Sequence, residues 1–374
     1  MTTSTTAAVW SSVVAAEGAV SLLQRDVASE RVAHAYLFSG VAGRLPVDVA
    51  LAFGAALVCP NGGCGTCDAC VRVSHRAHPD VELIEPAGMQ LLVEQVRDAI
   101  RAASRRPVAG PKRVIIVEGA DRMNPNAQNA FLKALEEPPP STTIVLLAPS
   151  PEALLETVRS RCREVTFRQP PPAEVAALLE AQGVDAERAR YWARVGGDLT
   201  RATTLALDDA ARELRSELVS RVLHPMHDPG DALEAAEWLS LQTRGLRDRV
   251  ADEHRAESDA FHQWRSETKA VADQRLRREQ RRAEQDALEA SIDDIASVLR
   301  DLVVLVRDPD GDVLNADERA ALTDRAAASR TGADARMIAA LGEIELARRR
   351  LRGNANVLLT LEEVFLSLYK ALSA

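Results

Sequence analysis

Four of the five cysteines fall close together as Cys59-x4-Cys64-x2-Cys67-x2-Cys70, with Pro60, Gly62, Gly63 and Gly65 between them to let the chain fold back on itself. Four thiolates can close a tetrahedron around zinc. A full sulfur shell leaves no position for water, so the spacing points to a structural rather than a catalytic ion. The alternatives are free thiols, or a mixed shell that recruits His75 or His78. His78 precedes Pro79 and is better suited to packing in that turn. Cys162 stands apart from the cluster.

A strand, a glycine loop and a helix in succession is where phosphate-binding loops sit, and Gly40-Val-Ala-Gly-Arg-Leu-Pro-Val47 occupies such a place. The working parts are missing. The pattern GxxxxGK(S/T) needs Gly, Lys and a hydroxyl at positions 45 to 47, where this chain has Leu45, Pro46 and Val47. Without the Lys there is no cation for the β and γ phosphates, and without the hydroxyl there is no magnesium ligand. Pro46 also withholds a backbone N–H. Gly40 and Gly43 therefore read as part of a plain strand-to-helix turn. A second nucleotide-site element, Val114-Ile-Ile-Val-Glu-Gly-Ala-Asp121, is altered too. An Asp for magnesium and a Glu to orient water are needed there, and the places hold Glu118 and Gly119. Two losses in one would-be site point to a retained fold that does not hydrolyse ATP.

Ser160-Arg-Cys162 lies between a helix-like stretch and a strand-like one, so Arg161 can emerge at the end of a sheet. A guanidinium there can reach the γ-phosphate of a neighbouring subunit, as an arginine finger does. The alternative, favoured by the residues alone, is an ion pair within the chain.

These residues need an alternating scaffold, and residues 34 to 168 supply one. Strand-like runs at His34–Gly40, Val81–Ile84, Arg113–Val117, Thr143–Leu147 and Glu164–Phe167 alternate with helix-like stretches at 47–58, 90–104, 124–136 and 151–158. Such alternation predicts a mostly parallel sheet covered on both faces. Gln169-Pro-Pro-Pro172 interrupts the rhythm and marks a boundary. Beyond it, residues 173–207 read as short amphipathic helices, with Val175, Leu178 and Leu179 on one face and a turn at Gly196-Gly197. No Gly or Pro interrupts 246–308, which predicts long helices. The charged part, 246–290, reads as a solvated arm, and Ile292, Ile295, Leu299 and Leu302 resume an apolar stripe. Arg275-Leu-Arg-Arg-Glu-Gln-Arg-Arg282 within the arm could touch phosphate, although a solvated helical face is the simpler reading.

The whole composition agrees with this division. A chain of 374 residues exceeds one ordinary core. Its 46% hydrophobic and 27% charged content excludes wholesale disorder, and only 3% aromatic residues favour aliphatic, mainly helical cores. A net charge of −9 disfavours an autonomous nucleic-acid binder. The longest apolar run, Val49–Val58, is far short of the roughly 18 to 20 residues needed to cross a bilayer. Thr2–Val20 lacks the marks of a secretion signal, so a reducing cytoplasm is expected.

Taken together, His34-Ala-Tyr-Leu-Phe-Ser-Gly40, the four cysteines, His78-Pro-Asp80, Asn129-Ala-Phe-Leu-Lys-Ala-Leu-Glu-Glu-Pro138 and Ser160-Arg-Cys162 resemble, in content and order, the delta-prime subunits of the bacterial DNA polymerase III clamp loader. These belong to the AAA+ superfamily. Gly196-Gly-Asp-Leu-Thr-Arg-Ala202 is similar to that family's sensor-two segment, and Asn354-Ala-Asn-Val-Leu-Leu-Thr-Leu-Glu362 to the end of its collar. The resemblance is clear over 34–205, weaker over 290–374, and absent from the arm. It implies an AAA+ α/β domain over 1–168 with an inserted zinc module at 59–70, a small helical lid at 169–207, and an all-α collar at 208–374. It further implies a non-ATPase stator in a hetero-oligomeric ring with tau/gamma and delta subunits, which loads the sliding clamp onto primed DNA. Arg161 would serve a neighbour's ATP site, zinc would be structural, and this chain would hold no ATP. Arg201 matches the sensor-two arginine, where an ion pair within the chain is the expected role. Two other readings compete with this one. The first is a tau/gamma-like ATPase with a divergent phosphate loop, and the second a zinc-dependent DNA adaptor using Arg275–Arg282.

Overall fold

The computed structural model describes residues 8–373 except 12, 14, 15, 42, 87–90, 92, 262–268, 331, 353 and 354. Side chains at 247, 250, 251, 253–261, 269–272, 274, 275, 278 and 352 also lie outside the description. The start of the amino-terminal segment from Thr2, much of the charged arm including the side chains of Arg275 and Arg278, and Asn354 therefore fall outside the described residues.

Five strands, β1 (Ala35–Ser39), β2 (Val81–Ile84), β3 (Arg113–Val117), β4 (Thr142–Ala148) and β5 (Arg163–Thr166), form one wholly parallel sheet in the order β2-β3-β4-β1-β5. Every residue of β1, β3 and β4 is buried, which is why they read as continuous apolar runs. Successive side chains take opposite faces. Tyr36, Phe38, Val114, Ile116, Val145 and Leu147 pack on one side against Phe53 and its neighbours in helix α2 (Arg44–Val58), which follows α1 (Glu17–Ala28). Leu37, Ile115, Val117, Ile144 and Leu146 pack on the other side against residues of α4 (Val93–Ala103) and α5 (Pro125–Glu136). Helix α3 (Asp68–Ser74) follows the cysteine loop.

One expectation is corrected. The stretch 151–158 is a single 3-10 turn, Pro151–Ala153, followed by the one-turn helix α6 (Glu156–Arg159). Leu154 and Leu155 between them are extended, with ψ of 144° and 139°. The backbone N–H of Leu155 donates to Gln128 Oε1 at 2.7 Å and not to an earlier turn of a helix.

By contact the chain forms two compact units, Met1–Gly183 with Asp198–Thr200, and Val184–Gly197 with Arg201–Ala374. The first contains the sheet and α7 (Pro172–Ala181), which buries Val175 and Leu179. The second is helical, built from α8 (Ala186–Val195), most of α9 (Leu199–Leu207), α10 (Asp209–Leu223), α11 (Pro229–Phe261), α12 (Lys269–Arg307), α13 (Arg319–Ala327), α14 (Ala333–Arg352) and α15 (Val357–Leu372). Ile292, Ile295, Leu299 and Leu302 are fully buried against Leu239, Phe365 and Leu368, so the second half of α12 is core. A polar network threads this unit: Asp294 receives Arg201 and Arg215, and Asp301 accepts from the backbone of Leu314 and Asn315.

Asp80 fixes the edge of the sheet. Its carboxylate is fully buried and accepts from the backbone N–H groups of Val108, Ala109 and Gly110 at 2.7, 2.6 and 2.8 Å, with Arg113 Nη1 3.6 Å away. Burial alone would raise its pKa, but the three N–H donors outweigh burial and hold it below the usual carboxylate range. A native pKa below the unfolded one stabilises the fold above about pH 4, and the gain is lost as pH falls through the native value. Asp80→Asn is expected to cost about 2 kcal/mol in urea melts at pH 7. The gap from the parent protein should narrow as the melts are repeated below pH 4, and a pH-independent gap would contradict the account.

Candidate functional site

The C-terminal edge of the sheet is where a nucleotide would sit, and the positions that would grip it there hold apolar residues. Gly40 leaves β1 with φ 98°. A Cβ there would come within 2.4 Å of the Phe167 carbonyl oxygen, so β1 can lie this close to the end of β5 only with glycine. Gly43, also at φ 98°, precedes α2. Leu45, Pro46 and Val47 are buried in the first turns of α2, and Leu45 and Val47 belong to the same apolar layer as Phe38, Val165 and Phe167. The positions that would offer Lys and a hydroxyl are thus packed into the core. At the end of β3, half-buried Glu118 donates its N–H to the Ile84 carbonyl, and Gly119 turns with φ 65°. No side chain at 119 can orient water.

Arg161 is not brought to this edge. It lies just before β5, and the pairing of Ser39 with Thr166 sets it about 15 Å away along the strand direction, at the opposite edge of the sheet. Its Nη2 pairs with Glu136 Oε1 at 2.8 Å and its Nη1 donates to the Thr157 carbonyl at 2.8 Å. The side chain remains 35% exposed. Burial pushes the neighbouring Cys162 thiol up to about 12, so it is an inert wall residue.

Two residues that the sequence reading gave no role hold this segment. Glu136, the last residue of α5, is the partner of Arg161. Gln128, buried in the same helix, donates from Nε2 to the carbonyls of Met123 and Ala153 at 2.9 and 3.1 Å while its Oε1 accepts from Leu155. Glu136 stood within the motif Asn129–Pro138, and Gln128 directly before it, but neither type announces such a role. In the other unit, Arg201 donates to Asp294 and to the Ala290 carbonyl, an arrangement of a structural ion pair.

The cysteines are brought together. Cys59 ends α2, Cys67 precedes α3 and Cys70 lies in its first turn. Gly62, Gly63 and Gly65 all take positive φ between them. Their four sulfurs lie within 4.8 Å of one another, with Cys59 Sγ 3.8 Å from Cys64 Sγ and 3.6 Å from Cys67 Sγ. A tetrahedron of thiolates with zinc–sulfur bonds of about 2.3 Å has edges of about 3.8 Å, so the residues fit such an ion. Burial opposes ionisation of Cys59, but backbone N–H groups of Cys64, Gly63 and Asn61 directed at its sulfur outweigh it and lower its pKa. The N–H groups of Thr66 and Cys67 lower Cys64 to about 6. Burial pushes Cys70 up, which a bound divalent cation would reverse. His78 is buried, and its Nδ1 accepts from the Asp80 N–H at 3.1 Å, which makes it part of the turn.

Residues 15–171 match the family model described as "DNA polymerase III, delta subunit". The delta-prime subunit of DNA polymerase III from Bacillus subtilis is 32% identical over 210 residues, which are 55% of this chain and 64% of that one. The Pseudomonas aeruginosa delta-prime subunit is 39% identical over 152 residues, 39% of this chain and 46% of that one. A gamma/tau subunit from Mycobacterium tuberculosis is 33% identical over 207 residues, 52% of this chain and 36% of that one. The matches span less than two thirds of each of these relatives. The delta-prime resemblance read from the motifs is borne out by them.

Metal analysis of the purified chain is expected to give about one zinc per molecule, lost together with several degrees of Tm on chelation or in Cys59→Ser. A zinc-free preparation with unchanged Tm would remove the four-sulfur site.

Proposed function

We propose that the chain is the non-catalytic stator of a DNA polymerase III clamp loader. It would sit in a cytoplasmic hetero-oligomeric ring with tau/gamma and delta subunits and support the ATP-driven loading of a sliding clamp onto primed DNA. The observation that carries this reading is the burial of Leu45, Pro46 and Val47 where a motor subunit would present its phosphate cradle. Nothing at those positions can grip a triphosphate or its magnesium.

The single chemical contribution is made in trans. Arg161 stands at the edge of the sheet opposite the degenerate loop, so it cannot serve a nucleotide there. It is partly exposed, and its Glu136 pair can be exchanged for the developing charge on a neighbour's γ-phosphate. In this reading residues 1–168 are an AAA+ domain, 169–207 a lid and 208–374 a collar. The four-cysteine module holds structural zinc and takes no part in the chemistry.

A tau/gamma-like ATPase is the second reading, favoured by the 33% identical stretch shared with a gamma/tau subunit. Pro46 and the aliphatic residues flanking it argue against it. The chain alone is expected to show no appreciable ATP turnover, and turnover abolished by Arg44→Ala beside the loop would reject the stator role. Arg161→Ala should leave the chain's Tm and its co-purification with the other loader subunits unchanged, yet lower ATPase of the assembly by about a thousandfold. An unchanged rate would remove the finger assignment while leaving the stator reading standing.

A further inference from the structure

The segment that carries Arg161 has little of its own to hold it. Helix α6 is a single turn with no side chain capping its amino end, and four residues are too few for a helix to persist by its own hydrogen bonds. Leu155, directly before it, is extended, with φ −57° and ψ 139°. What fixes the segment comes from α5. Phe131 and Leu135 of that helix are buried in the same apolar layer as Leu154 and Val158. Gln128, 2% exposed, directs both ends of its amide at backbone: Nε2 donates to the carbonyls of Met123 and Ala153, and Oε1 accepts from the Leu155 N–H.

From Leu155 onward the hydrogen bonds run without a gap to Arg161. The N–H groups of Val158 and Arg159 donate to the Leu155 carbonyl, that of Ser160 to Glu156, that of Arg161 to Val158 and that of Cys162 to Arg159. The Arg161 guanidinium reaches back to the Thr157 carbonyl inside the same stretch. Beyond it β5 takes over, with Arg163 in register with Tyr36. Gln128 and Glu136 lie eight residues apart on α5, about 12 Å along its axis, so one helix holds the start of the segment at one point and its guanidinium at another. The direction of the chain at Leu155 is passed through this series of bonds to Arg161.

We propose that Gln128 is a positioning residue for Arg161. It touches no nucleotide and no reacting atom. By holding Leu155 extended it sets the line along which α6 presents the guanidinium to a neighbour's γ-phosphate. The inference rests on the reading of Arg161 as a finger in trans, and it makes the rate in the neighbour depend on a buried amide in this chain. A catalytic group displaced by about 1 Å can lose about a hundredfold in rate.

The test is steady-state ATPase of the assembly with tau/gamma and delta subunits, made with the parent chain, Arg161→Ala, Gln128→Met and the double variant. Methionine matches glutamine in length and fills its place in the core while deleting all three hydrogen bonds. Gln128→Met is expected to lower kcat by about tenfold to a hundredfold, with KM for ATP and co-purification of the assembly unchanged. Added to Arg161→Ala it should have no further effect, because it acts only through that side chain. A general structural defect would move KM, co-purification or the residual rate of the Arg161→Ala assembly. With Arg161→Ala alone slow, an undiminished kcat in Gln128→Met or a further drop in the double variant would overturn the positioning role and leave the finger reading standing. An unchanged rate in Arg161→Ala would remove both together. If Gln128→Met yields no folded chain, Gln128→Asn, one methylene shorter with the same amide, is expected to give a smaller loss of kcat with the same pattern, and the parent rate in that variant would overturn the proposal.

Discussion

The insertion of Leu45 and Val47 into the apolar layer beside β1 is the interaction from which the rest of the amino-terminal unit follows. A phosphate cradle must keep its amides turned toward solvent and its small residues thin. Here two aliphatic side chains turn into the apolar layer, and each stabilises the packed form by about 1.5 to 3 kcal/mol relative to exposure. Reopening the loop would forfeit both. The start of α2 is therefore a packed joint, and the glycine at 40 serves close approach to Phe167 in place of anion contact.

The same helix is fixed at its other end by a different device. Cys59 terminates α2, and the glycine-rich loop that follows has too few apolar residues to fold on a core of its own. A metal held by the four sulfurs would supply what burial cannot, and the loop also leans on the amino-terminal turn Ala8–Trp10. There the Val9 N–H donates to the Gly63 carbonyl and Trp10 is buried. A Cβ at Gly63 would meet Val9 at 2.6 Å, so the positive φ and the close packing both demand glycine. With apolar insertion at one end and the four-cysteine cluster, once it holds a metal, at the other, α2 would have little freedom to rotate against the sheet. That stiffness suits a subunit proposed to hold still while others move.

How much of this could be read beforehand depended on whether the signal was local. β1, β3 and β4 are buried on both faces, so their apolar runs stand out, and the four cysteines declare themselves by spacing alone. Leu45, Pro46 and Val47 were legible as a loss, because a missing Lys is visible in a sequence; that their side chains fill the core was not. The stretch 151–158 misled because its helical-looking composition is overruled from outside, by Gln128 pulling Leu155 into an extended conformation. Asp80 likewise gave no sign of its three backbone donors, which come from residues 28 to 30 positions later in the chain. Contacts of that range leave no periodicity behind.

The segment bearing Arg161 divides its labour between two side chains of α5. Gln128 is buried and makes three hydrogen bonds to backbone, so it fixes where the chain runs. Glu136 is 47% exposed, and its pair with the 35% exposed Arg161 is worth at most about 1 kcal/mol in water. A strong, buried partner for Arg161 would have held the guanidinium against any competitor, and no partner would have left it to sweep through many rotamers. A weak pair does neither: it narrows the starting orientations at small cost and yields to a phosphate in a site closed to water, where the charge–charge interaction is several-fold stronger. In the proposed role the rigidity needed to place the finger therefore resides in Gln128, and the compliance needed to release it resides in Glu136.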